Sequence, residues 1–245
     1  MFENALCDPG YNQYAMRDYR KQGRQHRLLV LLTVSMPMAA ALAATPGQAA
    51  KPPAAGNLTI GAAPIPIVYN ASTVISGKLK GKVNSSIAVA LVGNEAPYTG
   101  GYDPIATTTT DANGDYRFTG VRPLLNTRYH VSTVVPPETS ADVLVQVRIK
   151  VVLRLSDSTP RKGQRVRFYG TAAPDHDGRL VYIQRLSTTG NWRTLARTAL
   201  RDAGSEFSKF SRRMRVRRSA TYRARVFHDS DHADGTSRSK RATVH

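Results

Sequence analysis

An all-β fold of two tandem antiparallel β-sandwiches behind an N-terminal signal peptide is what this sequence predicts. Three observations carry that expectation. Short runs rich in Val, Ile, Thr and Tyr recur along the chain, punctuated by Gly, Pro, Asn and Asp. Helical periodicity does not interrupt them. A pattern in residues 192–226 also has a fainter copy in residues 102–131, so the chain reads as a duplicated β-module.

The repeat is specific in three places. An aromatic residue stands three positions before an aliphatic-Ala pair, Tyr102 before Ile105-Ala106 and Trp192 before Leu195-Ala196. An Asp-Ala turn stands five residues before an aromatic: Asp111 before Tyr116, and Asp202 before Phe207. A Tyr-containing strand closes each copy, at Tyr129 and Tyr222.

At the N-terminus, the basic stretch from Arg17 to Arg27 precedes an apolar run from Leu28 to Ala44, broken by Pro37. Small-residue cleavage sites follow at Ala41-Leu42-Ala43 and Gly47-Gln48-Ala49. That order is the order of a secretory signal peptide over residues 1–49, with Met16 as an alternative start. No transmembrane span is expected after cleavage, because the run is short for the ~20 residues a spanning helix needs. Cys7, the one cysteine, would be lost on cleavage, and each module would hold together on its core alone. Residues 50–56 read as a Pro/Ala/Gly linker.

The first module, residues 57–147, is expected to hold strands at 65–69, 73–79, 87–92, 105–110, 115–119, 127–134 and 143–147. Asp111-Ala112-Asn113-Gly114-Asp115 looks like a Ca²⁺ loop, but its Gly is fourth where an EF-hand needs it sixth. A hairpin turn explains it. The second module, residues 148–245, begins without a break. Val145, Val147, Ile149, Val151, Leu153 and Leu155 share one face of a strand-like run, opposite Gln146, Arg148, Lys150 and Arg154. With no Gly/Pro linker there, the two sandwiches are expected to form a fairly stiff rod. Trp192 and Tyr222 are expected in or beside the second core.

The stretch Thr159–Gly170 fits the pattern P-x-x-G-x-x-V-x-F-x-G, from Pro160 through Gly163, Val166 and Phe168 to Gly170. Residues 180–186, Trp192-Arg193-Thr194-Leu195-Ala196, the Asp202 turn and Thr221-Tyr222-Arg223-Ala224 follow it in order. The whole resembles the repeated immunoglobulin-like modules of secreted actinobacterial proteins, closely over residues 150–244 and loosely over 57–147. The resemblance implies a non-catalytic seven-stranded sandwich used as a spacer or adhesive unit. The first module departs from it, with Tyr102 in place of Trp and no Pro-x-x-Gly opening.

Net charge is +18, and its placement is uneven: residues 146–245 hold 23 of the 35 Lys and Arg but 8 of the 17 Asp and Glu. Arginines alternate with apolar residues at Arg165, Arg167, Arg215, Arg217, Arg223 and Arg225, which makes these six the candidate polyanion-binding residues. Two polar loops, Asp175-His176-Asp177 and His228-Asp229-Ser230-Asp231-His232-Ala233-Asp234, share one end of an immunoglobulin-like sandwich. Their Asp175, His176, Asp177, His228, Asp229, Asp231 and His232 are the candidate ligands for Ca²⁺ or Zn²⁺, the cofactors considered where otherwise none is expected. That end should meet the first module, near Glu95, Asp103 and Arg122.

No Ser/His/Asp or Cys/His spacing suggests a nucleophile, so the expected protein is not an enzyme. The expected function is that of a secreted or cell-surface structural or adhesive module. Its partner would be a cell-envelope polymer or another surface protein, and no specific nucleic-acid motif is present. The rivals are a polyanion-binding protein, gripping cell-wall polymer or nucleic acid, and a metal-dependent hydrolase built on the His/Asp loops.

Overall fold

In the computed structural model, which describes residues 56–245, β-branched runs become strands wherever alternate residues find a core to face. The stretch expected to be a signal peptide, with Cys7 and Met16, and the expected linker up to residue 55 lie outside the described residues. Among the described residues there is no helix, and hence none long and apolar enough to cross a membrane.

The first half carries β1 (Gly61–Ala63), β2 (Ile67–Val68), β3 (Thr73–Lys78), β4 (Ala88–Glu95) and β5 (Asp103–Thr109). It continues with β6 (Asp115–Val121), β7 (Thr127–Thr133), β8 (Glu138–Thr139) and β9 (Val143–Val145). The second carries β10 (Val147–Arg148), β11 (Lys150–Leu155), β12 (Gln164–Ala173), β13 (Leu180–Leu186) and β14 (Trp192–Ala199). After them come β15 (Arg201–Asp202), β16 (Ser208–Val216), β17 (Ala220–Val226), β18 (Gly235–Thr236) and β19 (Lys240–Ala242).

The same strand order appears twice. In the first half β3 lies between β1 and β6, while β4 lies between β5 and β7, and β7 also pairs β8 and β9. In the second half β12 lies between β11 and β16, while β13 lies between β14 and β17, and β17 also pairs β18 and β19. All these pairings are antiparallel. Each half has its own core drawn from both of its sheets. Ile75, Tyr116 and Phe118 pack with Val89, Leu91, Tyr129 and Val131 in the first. In the second, Leu153, Val166, Phe168 and Phe210 pack with Val181, Ile183, Tyr222 and Val226. Fully burying such a side chain is worth ~1.5–3 kcal/mol, which makes the two cores the main source of stability.

Two parts of the sequence repeat change meaning in the structure. The aliphatic-Ala pair marks a β-bulge. The β4–β5 register steps from Leu91↔Ala106 to Val92↔Pro104, and the β13–β14 register from Ile183↔Ala196 to Gln184↔Thr194. Ile105 and Leu195 are the extra residues, and both are exposed, because a bulged residue has no partner to place it on the core face. The expected match of Phe207 to Tyr116 also fails. Tyr116 is buried, whereas Phe207 stands exposed one residue before β16, and Phe210 takes the core position. Trp192 lies outside the second core, half-buried, while Tyr222 is within it.

The Asp111 loop is a turn. One carboxylate oxygen of Asp111 accepts the N–H groups of Asn113 (2.8 Å) and Asp115 (2.9 Å), and Gly114 takes a φ of +81°. One of its two oxygens is thereby committed to backbone donors.

Between the halves the predicted single strand over 145–155 is three pieces with three partners. β9 pairs β7, β10 pairs β2 in parallel, and β11 pairs β12. Burial still alternates without a slip: Val145, Val147, Ile149, Val151 and Leu153 are all buried. Ile67 and Tyr69 donate their N–H groups to the Gln146 and Arg148 carbonyls, each at 2.9 Å. On the other side of β10, Ala233 donates to Val147 (2.8 Å) and Ile149 donates to Ala233 (3.1 Å). The connection is therefore a hydrogen-bonded seam in which both halves take part.

Candidate functional site

The loop between β12 and β13 carries His176, and the loop between β17 and β18 carries Asp229 and His232. β13 and β17 are adjacent strands, so the two loops leave the same end of the second half. The second loop presses on the first half. Asn126 donates its backbone N–H to the Asp231 carbonyl (2.8 Å), and the Asn126 side-chain oxygen accepts Val147 N–H (2.8 Å). Tyr69 meets the His232 ring edge-on, with centroids 6.1 Å apart. The acidic end thus sits at the seam, but its hydrogen-bonding partners are Leu124 and Asn126, where Glu95, Asp103 and Arg122 were expected.

Three of the seven candidate ligands converge there: His176, Asp229 and His232 place one ligand atom each within 4.8 Å of the others. His176 Nε2 lies 2.9 Å from one oxygen of Asp229, and His232 Nδ1 lies 3.6 Å from the other. That second oxygen also accepts the N–H groups of Asp231 (2.9 Å) and His232 (2.6 Å). The remaining four candidates are placed differently. Asp175 accepts the Ser208 hydroxyl (2.5 Å), Asp231 accepts that of Ser230 (2.7 Å), and exposed His228 faces Asp234 at 3.1 Å. Asp177 is exposed and outside the cluster.

Burial works to raise the Asp229 carboxyl, but the backbone N–H groups of His232 and Asp231 outweigh it and hold the group below its ordinary 3.8. Burial holds His232 below its ordinary 6.5, against the pull of Asp229. Below pH 6.5 the unfolded chain therefore binds more protons at His232 than the folded one, so stability falls on acidification. In a chelating buffer, unfolding free energy is expected to be level above about pH 7 and to decline below 6.5. A second decline sets in below 3.8, as Asp229 takes up a proton. Urea titrations at stepped pH check this, and His232→Gln should remove the first decline alone.

The six candidate arginines do not share one face. Arg165 and Arg167 on β12, with Arg215 on β16, alternate with buried Val166, Phe168 and Val216. Arg223 and Arg225 on β17 alternate with buried Tyr222, Ala224 and Val226. The two sheets face each other through the core, so these sets leave the molecule on opposite sides, and Arg217 follows the end of β16. In/out alternation was legible in the sequence, but sheet membership was not. Arg165 stands directly across from Arg215, and Arg167 from Arg213, a placement that costs stability unless an anion bridges them.

A basic groove of about 910 Å³ was not foreseen as a unit. It runs along the edge of the second half where β11 approaches β17 to β19. Arg148, Lys150 and Arg154 contribute from one side, and Arg223, Arg225, Arg238 and Lys240 from the other. Asp234 is its one acid, paired with Arg225. Arg223 is held in place, with its guanidinium 4.2 Å from the Trp192 ring and its Nε donating to Gln184 (2.8 Å).

No protein-family model matches the chain, and no curated protein matches it. Solved structures do. The tetra-tandem repeat in the extending region of a large adhesion protein is 20% identical over 78% of this chain and 50% of that one, with a TM-score of 0.34. Red sea bream transglutaminase is 10% identical over 77% of this chain and 31% of that one, with a TM-score of 0.38. The chain spans half the length of the first of these and about a third of the second. Among the described residues the structure is all-β.

Proposed function

We propose that the chain is an exported, non-catalytic pair of immunoglobulin-like sandwiches, residues 57–147 and 148–245, acting as a structural or adhesive unit at the cell surface. The observation that carries this reading is the seam. Two copies of one strand order are joined without a free linker and hydrogen-bonded on both sides of β10. A unit that bears load or sets a distance needs such a joint, whereas a flexible tether would do without it. The non-catalytic part of the reading is what the resemblance to immunoglobulin-like modules implies. Fractionation of the native host tests the address: the chain should appear in wall or medium with residues 28–44 removed. Recovery from the cytoplasm with that run intact would overturn the proposal.

The basic groove favours a second reading, in which the unit grips a polyanion such as a cell-wall polymer. Seven cations against one paired acid make a field that attracts phosphate or carboxylate chains. With duplex DNA as a probe polyanion, each phosphate neutralised contributes a slope of about −0.9 in log K against log salt. Replacing Arg148, Arg238 and Lys240 together by Ala should flatten the slope by about 2.7 if each holds one phosphate. The same change at Arg165, Arg167 and Arg215, on the other side, should flatten it little. Equal losses from both sets would point to diffuse charge and rule the groove out.

A further inference from the structure

We propose that His176 Nε2, His232 Nδ1 and the Asp229 carboxylate form a binding site for a transition-metal dication of the Zn²⁺ class at the seam between the two halves. The inference stands apart from the function proposed above and holds or fails without it.

The first ground is the orientation of the rings. His176 Nδ1 lies 2.8 Å from the Pro174 carbonyl, and His232 Nε2 lies 3.0 Å from the Leu124 carbonyl. A carbonyl can only accept, so each of those nitrogens carries the proton, which leaves the inward nitrogens, in the neutral rings, as bare lone pairs. Metal-binding histidines are held in this way: the outer N–H is fixed by a carbonyl or carboxylate and the inner nitrogen is free to ligate.

The second ground is that the inward nitrogen of His232 lacks a partner. His232 Nδ1 is a buried atom with no hydrogen bond, and its 3.6 Å separation from Asp229 is too long to be one. His176 Nε2 faces an Asp229 oxygen at 2.9 Å, close enough for the two to share one cation, a proton or a metal ion. Both side chains are more than nine-tenths buried, at 6% and 5% exposure, so water does not relieve the contacts cheaply. One dication satisfies all three groups at once.

The donor set selects the metal. Two imidazole nitrogens and one carboxylate suit Zn²⁺ and its neighbours, whereas Ca²⁺ takes six to eight oxygens. Three donors leave a fourth position open. A cleft of about 340 Å³, lined by Asn126, Gln146 and Arg148 as well as Asp229 and His232, gives the ion a way in and a water its place. Arg179 lies 3.7 Å from Asp229, with its other nitrogen bonded to the Phe227 and His228 carbonyls. Its charge limits affinity for a cation without blocking either ring. Because His232 reaches Leu124 through its outer nitrogen, a metal on its inner nitrogen would brace the second half against the first.

The test uses the untagged full-length protein, stripped with EDTA and dialysed. Calorimetric titration with Zn²⁺ should show one saturable site per chain, and Co²⁺ should give the visible d–d bands of a four- or five-coordinate site. His176→Gln and His232→Gln should each weaken binding by at least ~10-fold, the lower end of what even an outer-shell partner costs. His228→Gln and Asp177→Asn, at exposed candidates outside the cluster, should leave affinity unchanged. Absence of saturable heat and of d–d absorption in the folded wild-type protein would overturn the proposal, and that result depends on no variant folding. So would a loss at His228→Gln equal to the loss at His232→Gln.

Discussion

Phe168→Ala is expected to lower the stability of the second half by about 3–5 kcal/mol, the range for emptying an aromatic from a core. Phe168 is fully buried on the central strand of its sheet, and its ring meets Tyr222 of the facing sheet edge-on at 4.9 Å. Truncation leaves a void between two hydrogen-bonded sheets, which cannot collapse to fill it without breaking ladders. Phe207→Ala is the matched control. That ring is 38% exposed, so its loss should stay within about 0.5 kcal/mol of neutral. Urea unfolding of the two variants beside the parent measures the contrast. Similar costs at both sites would mean that the core has been assigned to the wrong aromatic.

Gly170→Ala is expected to be nearly as damaging although it adds one methyl group. A Cβ at Gly170 would stand 1.8 Å from the Val152 carbonyl oxygen and 3.1 Å from the Phe210 ring. The near atom is backbone of the adjacent edge strand β11, so relief requires parting β11 from β12. Overpacking of this kind costs about 1–3 kcal/mol or more. Gly77, on β3, is the same position in the first half, with a Cβ 2.0 Å from the Thr59 carbonyl oxygen. Gly77→Ala should therefore reproduce the loss there. Thermal melts of both variants, against Gly101→Ala in an open loop where an added Cβ meets nothing, provide the check. A melting point preserved in Gly170→Ala would show that the edge strand is free to move.

These two sites show what the sequence could and could not disclose. Phe168 and Gly170 fall within a pattern whose spacing is local, as is the alternation from Val145 to Leu155, because the side-chain period of a strand is two. The all-β architecture followed from such local signals. β1 escaped because Gly-Ala-Ala has no β-branched side chain to mark it, and β8 because two residues hold no period. The division of residues 143–155 among three partners was invisible for another reason: hydrogen-bonding partners are chosen from β2, β7 and β12, far off in the chain. Site residues follow the same division. The two His/Asp loops could be named, but which three of seven side chains meet depended on the Leu124 and Pro174 carbonyls that aim the rings. The arginines could be assigned to the outside of a strand, and not to one of two opposite sheets.

The seam also bears on how such a chain can be rearranged in evolution. A self-contained bead on a string can be copied, moved or deleted singly, since its ends meet only solvent. Here the loop from Asp229 to Ala233 hydrogen-bonds to Leu124 and Asn126, outside its own half. A second half spliced behind an unrelated neighbour would strand those donors and acceptors and uncover Tyr69's place on His232. Recombination that respects folding should therefore carry the two halves together, making the pair the unit of inheritance.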